Sequence, residues 1–420
     1  MRKLIVNIGE LATPFGRNAW GGADQKKRVE RYRHAWLLLE DDKVLSLGTG
    51  DPGGIARVPG TEILDAGGLL VTPGLVDAHT HLIFGGYRQN ELALKLQGVS
   101  YLEILARGGG ILSTVSATRR AGEGELFEKA RKDLDEMLKH GVTTVEIKSG
   151  YGLDRETELR QLRIIQRLQN ELPQDLVATY LGAHALPPEY KDNREEYISL
   201  MCEEIIPEIA REGLAEFCDV FCESGVFTAE ETRRILEAGK EYGLRPKIHA
   251  DEIDAIGGSE LSKEVGAVSC EHLIRCRESG IEAMKEGGTV ACLLPATSFY
   301  LGADYAPARA MIEAGVPVAM ATDYNPGSCP SLNLQFVMNL GCLRYRMTPE
   351  EMLTGVTLNA AAAINRAESI GSIETGKLAD LVVWDAPDLD TLGYRMGSNL
   401  TRIVIKKGKV QGGRLRGLFE

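Results

Sequence analysis

Eight short apolar or β-branched runs alternate with helical segments through the middle of this 420-residue chain, and that alternation restricts the fold more than any other feature. The runs are "GLVDAH" to His79, "VTTVEIK" to Lys148, "LVATYLGAH" to His184 and "FCDVFCE" to Glu223. They continue with "RPKIHADE" through His249, "AVSCEH" to His272, "TVACLLP" to Pro295 and "VPVAMATDYN" through Asp323. Between them lie amphipathic stretches such as "ETELRQLRIIQRLQNEL", where Leu159, Leu162, Ile165 and Leu168 recur near helical spacing. "TAEETRRILEAGKEYGL" opens on a capping-box pattern, Thr228 to Glu231, and closes near Gly243. Strand–helix alternation of this length predicts a parallel (β/α)8, TIM-like barrel. The rival, an open doubly wound sheet, calls for a glycine-rich phosphate loop after its first strand. Here that position carries His79-Thr80-His81 instead.

The two ends of the chain differ from the middle. Residues 1–70 and the last fifty are rich in short strand-like pieces broken by glycine turns, among them "KLIVNI", "TEILDAGGLLVTPG" and "RIVIKKGKVQGG". The expectation is a small β-sandwich domain assembled from 1–70 and 365–420, with the barrel over 71–364.

Composition narrows the function. A net charge of −12 argues against a large nucleic-acid surface. No apolar run approaches the roughly 18 to 20 residues that span a bilayer. The start, "MRKLIVNIGELATPFG", reads as a strand rather than a secretory signal. The eight cysteines are scattered without a C-x-x-C pair, and Cys218, Cys222, Cys270 and Cys292 lie in or beside apolar runs. Free cysteines packed as small hydrophobes suggest a reducing cytoplasm. The expected partner is a small-molecule substrate, with no nucleic acid and no membrane.

In a barrel the C-terminal strand ends surround one face. This chain puts His79, His81, Lys148, His184, Glu223, His249, Glu252, His272 and Asp323 there, including five of its seven histidines. His79 and His81 share a side of an extended strand, because residues i and i+2 do. A polar barrel mouth accounts for one or two histidines; it accounts poorly for five. His79, His81, His249 and Asp323 read as ligands of one divalent or trivalent transition metal, and three imidazoles with a carboxylate suit zinc or iron. His34 and His140 read as structural. Gly108 to Gly110 invite a phosphate-loop reading, but no lysine or dinucleotide fingerprint follows, so the 82–140 segment reads as a wall or lid over the site.

"DAHTH" after the first strand, "HADE" on the fifth, "EH" on the sixth, "TDYNPGS" on the eighth and the returning "GSIETGKLADLVVWD" resemble the amidohydrolase superfamily over essentially the whole chain. The stretches "HTHLIFGGYRQNE", "KSGYGLD", "YLGAHALPPEY", "IHADEID" and "ATDYNPGS" are similar to the members that open the imidazolone ring of 4-imidazolone-5-propanoate, giving N-formimidoyl-L-glutamate in histidine breakdown. Binuclear members carry a carboxylated lysine at the end of the fourth strand. Here that end reads "FCDVFCES", with Glu223 and no lysine, in keeping with a single metal.

The resemblance implies roles. Asp323, besides binding metal, would take a proton from the attacking water and return it to the leaving nitrogen. His272 would stabilise the oxyanion or help position the water. Glu252 would bond ring nitrogens or help move protons. The substrate propionate needs a cationic partner on an acidic protein, and Arg88 can grip it bidentately with help from the Tyr151 hydroxyl. His184, Asn325, the Gly327 backbone and Ser328 complete the expected substrate contacts. A homodimer is expected by the same resemblance. A nucleobase-type deaminase of the superfamily is the nearest alternative, but a neutral base gives Arg88 and Tyr151 no carboxylate to meet. A non-catalytic metal-binding scaffold would have no use for both Asp323 and His272.

Overall fold

The computed structural model of the chain describes residues 1–99, 103 and 109–413. The N-terminal segment supplies β1 (Arg2–Pro14), β2 (Val29–Glu40), β3 (Lys43–Thr49), β4 (Thr61–Asp65) and β5 (Leu70–Pro73). Beyond Gly74 the chain enters β6 (Leu75–Asp77), β7 (Val142–Lys148), β8 (Asp175–Ala183) and β9 (Phe217–Cys222). Next come β10 (Arg245–Ala250), β11 (Ser269–His272), β12 (Val290–Leu293) and β13 (Val318–Met320). It returns through β14 (Leu381–Trp384), β15 (Thr401–Lys406) and β16 (Lys409–Gly413).

Strands β6 to β13 pair side by side in chain order, all parallel, with helices in the connections. The first and last strands meet just beyond their ends. Thr80 bridges Tyr324 in parallel, and the His81 amide donates to the Tyr324 carbonyl at 2.9 Å. The buried Asp77 carboxylate adds to this seam by accepting from the Thr322 amide at 3.0 Å and its hydroxyl at 2.6 Å. The eightfold alternation therefore gives the closed barrel it predicts.

The surrounding helices follow from periodicity and caps. Helix Arg155–Glu171 starts at Asp154, whose side chain accepts from the Thr157 amide, and it buries Leu159, Leu162, Ile165 and Leu168. Each such side chain contributes about 1.5–3 kcal/mol on burial. Helix Ala229–Glu241 forms the Thr228/Glu231 capping box. His140 caps helix Glu123–Lys139, with its Nδ1 2.9 Å from the Glu136 carbonyl, the helix-end role expected of it.

The remaining strands form one mixed sheet of eight, drawn from both ends of the chain. β14 joins the two halves by pairing antiparallel with β5. A separate core, including Ile5, Leu37, Val71, Leu381 and Ile403, serves this sheet. Among the described residues no helix is long and apolar enough to cross a membrane.

Candidate active site at the barrel mouth

The chain turns sharply where the strands end. Asp251, His272, Leu273 and Asp323 all have positive φ, at 55°, 69°, 61° and 56°. Non-glycine residues in this region cost about 1–3 kcal/mol each, and they persist where neighbours hold them. The Asp323 amide donates to the His79 carbonyl at 3.0 Å, and the Leu273 amide to the Ala250 carbonyl at 3.1 Å. These ties aim the side chains across the mouth.

Four expected ligands converge there. His79 Nε2 and His81 Nε2 are 3.2 Å apart, and His249 Nε2 lies 3.4 Å from His81 Nε2. Asp323 Oδ1 stands 3.4 Å from His79 Nε2 and 3.5 Å from His81 Nε2. All four residues are buried, and Asp323 Oδ1 has no hydrogen-bond donor. A tetrahedral ion with bonds of about 2.0–2.2 Å spaces its ligand atoms roughly 3.3–3.6 Å apart. The donor set and spacing therefore fit one metal ion.

The layer beneath explains why lone pairs face the centre. His79 Nδ1 lies 3.4 Å from Glu271 Oε2, and His249 Nδ1 lies 2.9 Å from Asp219 Oδ2. Carboxylates on that side favour the proton on Nδ1, the tautomer that leaves the Nε2 of His79 and His249 with its lone pair turned inward. Lys148 Nζ sits among Glu146 at 2.7 Å, Asp219 at 2.9 Å and Glu271 at 3.4 Å. Lys247 Nζ lies 3.3 Å from both Glu146 and Glu271. Burial alone would lower the Lys148 pKa, but Asp219, Glu146 and Glu271 outweigh it and hold the ammonium well above its usual value. Glu146, Asp219 and Glu271 are buried with Lys148 and Lys247, and Asp323 is buried among the histidines above them; four carboxylates against two ammonium groups leave a formal excess of two negative charges, which one dication neutralises. Such a layer is costly unless every charge is paired.

Asp219, Glu271, Glu146 and Lys247 are absent from the sequence-based site. Their signal was present as charges one to three residues before a strand end, in "VEIK", "CDVF", "PKIH" and "SCEH", within runs that otherwise read as apolar. Replacing Asp219 with asparagine is expected to weaken metal binding about 10- to 100-fold. Competition against a chromogenic chelator measures this, and unchanged affinity would remove Asp219 from the account. Thr297 was also missed. Its hydroxyl, on helix Pro295–Leu301 after β12, donates to Asp323 Oδ2 at 2.6 Å and leaves Oδ1 for the cluster.

The other expected residues gather round this centre. His184 stacks on His81 with centroids 4.8 Å apart, and its Nδ1 lies 2.9 Å from the Gly150 carbonyl. Tyr151 lies 5.3 Å from the His184 ring and 5.9 Å from His81. Its loop is fixed by Glu158, whose carboxylate accepts from the amides of Gly150, Gly152 and Leu153. The ring centroids of His272 and His249 are 5.3 Å apart, and His272 Nε2 is 3.6 Å from Glu252 Oε2. Burial brings the pKa of His272 and of His184 down to about 3, so both are neutral. Burial, then the Asp323 charge, pushes Glu252 up to about 7.

Arg88 is nearly buried, 3.7 Å from Glu91, and its Nε has no hydrogen-bond acceptor. The Nη2 end of its guanidinium abuts Gly327: a Cβ there would come within 1.0 Å of Arg88 Nη2. The "DYNPGS" turn also carries bonds of its own. The Asn325 side chain donates to the Asp323 carbonyl at 2.7 Å and accepts from the Gly327 and Ser328 amides at 2.8 Å, so both it and the Gly327 amide are used within the turn. Gly327 also gives room to Arg88. Ser328 is partly exposed on the same turn. The expected lid, 82–140, includes residues 100–102 and 104–108, which lie outside the described residues, as does Gly108 of the glycine run.

Comparison with known proteins agrees with this geometry. The sequence profile described as "Amidohydrolase family" matches residues 70–411. The chain is 52% identical to the imidazolonepropionase of Alkaliphilus oremlandii, over 97% of each chain. It is 56% identical to that of Shouchella clausii, over 89% of this chain and 84% of the other. Among solved structures, E. coli guanine deaminase superposes with a TM-score of 0.75 at 15% identity, covering 99% of each chain. Zinc-bound atrazine chlorohydrolase from Arthrobacter aurescens gives 0.68 at 19% identity, over 97% of this chain and 94% of that one. Likeness at that level speaks to the fold.

Proposed function

Because the chain belongs to the imidazolonepropionases of the amidohydrolase family, we propose a role in that reaction for each residue of the site. The enzyme hydrolyses the cyclic amide of 4-imidazolone-5-propanoate to N-formimidoyl-L-glutamate in histidine degradation. His79, His81, His249 and Asp323 hold one zinc or iron ion per subunit. When bound, the ion supplies Lewis acidity and brings the pKa of a coordinated water to about 7.

The protein residues do the rest. Asp323 accepts the proton of the attacking water and returns it to the leaving ring nitrogen, while Thr297 keeps its other oxygen occupied. His272, neutral, donates to the oxygen of the attacked carbonyl. Glu252 accepts a hydrogen bond from the ring. His184, with Nδ1 committed to the Gly150 carbonyl, offers Nε2 to the substrate. Arg88 holds the propionate, with the hydroxyls of Tyr151 and Ser328 beside it. Asn325 and Gly327 shape the turn on which that clamp rests. The observation that carries this reading is four ligand atoms converging at the strand ends, with the nearly buried Arg88 guanidinium, whose Nε has no hydrogen-bond acceptor, following the first of those strands.

Following loss of the substrate's ultraviolet absorbance tests the assignment: metal-loaded protein should turn it over, and folded, metal-replete protein that does not would refute it. Glu252 accepts most strongly as the carboxylate. Burial and the Asp323 charge raise its pKa to about 7, and a cation nearby lowers it. kcat should therefore drop as pH decreases, with a midpoint at or below about 7. That acid limb should vanish in Glu252→Gln, and a limb that survives would assign it elsewhere.

The same reading keeps a catalytic barrel over 71–364, a composite domain from 1–70 and 365–420, and a covering role for 82–140. It also makes the enzyme a cytoplasmic homodimer acting on a small molecule. All eight cysteines are free thiols, which suits a reducing compartment, and twofold dimers are the commonest soluble assembly.

A further inference from the structure

The end of the fourth barrel strand carries a carboxylate that the reaction as described does not use. Glu223 follows β9 directly and is 1% exposed. Its Oε1 accepts from the Ser224 amide at 2.7 Å and the Asp254 amide at 3.0 Å, and its Oε2 from the Ile253 amide at 2.9 Å. Two of these three donors belong to the residues immediately after Glu252. Glu223 is itself rigidly mounted: its amide donates to the Phe227 carbonyl at 3.0 Å, and its carbonyl accepts from the Val226 amide at 2.9 Å.

The other side of Glu252 is also tied down. Asp251 has a φ of 55°, its carboxylate accepts from the Ser259 hydroxyl at 2.5 Å, and its carbonyl accepts from the Arg275 amide at 2.7 Å. Glu252 thus projects toward His272 from a loop pinned before it by Asp251 and after it by Glu223. A loop amide without an acceptor turns to water and takes its backbone along.

We infer that Glu223 is the positioning residue of Glu252: by binding the 253 and 254 amides it fixes the direction in which Glu252 meets the substrate ring. This inference rests on the role proposed for Glu252. A displacement of about 1 Å at such a group costs on the order of a hundredfold in rate.

The test uses metal-loaded enzyme with Glu223→Gln, alone and combined with Glu252→Gln, assayed at raised enzyme concentration. Glutamine preserves the volume but turns an NH2 donor toward the backbone amides. Expected for Glu223→Gln are a kcat lower by about tenfold to a hundredfold, little change in KM, full metal content and an unshifted Tm. Exchange of the 253 and 254 amide hydrogens should accelerate. In the Glu252→Gln background the same change should alter kcat by less than about twofold, since residues acting through one another are not additive. Wild-type kcat in Glu223→Gln would overturn the inference, and so would equal losses in both backgrounds. Wild-type kcat in Glu252→Gln alone would overturn the role of Glu252 itself, a distinct result.

Discussion

Replacing Asp323 with asparagine is expected to lower kcat by roughly 10³- to 10⁴-fold, the range for loss of a proton-transferring group together with a ligand charge. The side chain keeps its shape, and its carbonyl oxygen can still face the ion, so kcat should be measured at saturating metal. The reason for so large a loss is geometric. Asp323 Oδ2 is committed to the Thr297 hydroxyl at 2.6 Å, and Oδ1 alone faces the histidine cluster. Asparagine cannot take a proton there, and whichever way it turns, its NH2 replaces one of two needed acceptors. The surroundings favour the ionised form of Asp323: burial opposes ionisation, but the neighbouring His79 and His272 rings and the Thr297 hydroxyl outweigh it and bring its pKa down to about 2. Retention of more than about a tenth of wild-type kcat at full metal occupancy would remove Asp323 from the proton path.

Arg88→Ala is expected to reduce kcat/KM by about 2–5 kcal/mol, roughly 30- to 4,000-fold, with most of the loss in KM. The guanidinium is nearly buried with an unsatisfied Nε, so a bound carboxylate meets a preorganised cation rather than a solvated one. Gly327→Ala should reproduce much of this loss without touching the charge, because its Cβ would occupy the place of Arg88 Nη2. A substrate analogue without the propionate separates specificity from general damage: wild type and Arg88→Ala should process it at similar, low rates. If Arg88→Ala lost the same factor on both substrates, the carboxylate clamp would be wrong.

The strand ends were legible because a histidine or acid closing an apolar run interrupts a simple pattern. His79, His81, His184, His249, His272 and Asp323 could be found that way, and the same alternation gave the barrel. The charged layer below was not legible in the same way. Asp219 lies inside "FCDVFC" and Lys247 inside "RPKIHA", where one charge in a short strand looks like an irregularity. Only closure of the barrel brings Lys148 to Glu146, Asp219 and Glu271. Thr297 was hidden for another reason: it sits in the helix after β12, a strand whose end, Leu293, offers no titratable group. Asn325 and Gly327 were recognised as part of the site, but their work depends on tertiary approach. The turn consumes the asparagine, and the arginine that Gly327 accommodates comes from the other side of the barrel seam.

The most direct test is a metal titration of chelator-stripped protein, with turnover of freshly generated 4-imidazolone-5-propanoate measured at each addition. A single-metal site built on His79, His81, His249 and Asp323 predicts that activity rises linearly and levels off at one ion per subunit. It also predicts that Glu252→Gln binds that ion with unchanged stoichiometry and turns over little substrate. Full turnover by the stripped protein, or a break at two ions per subunit, would contradict the account.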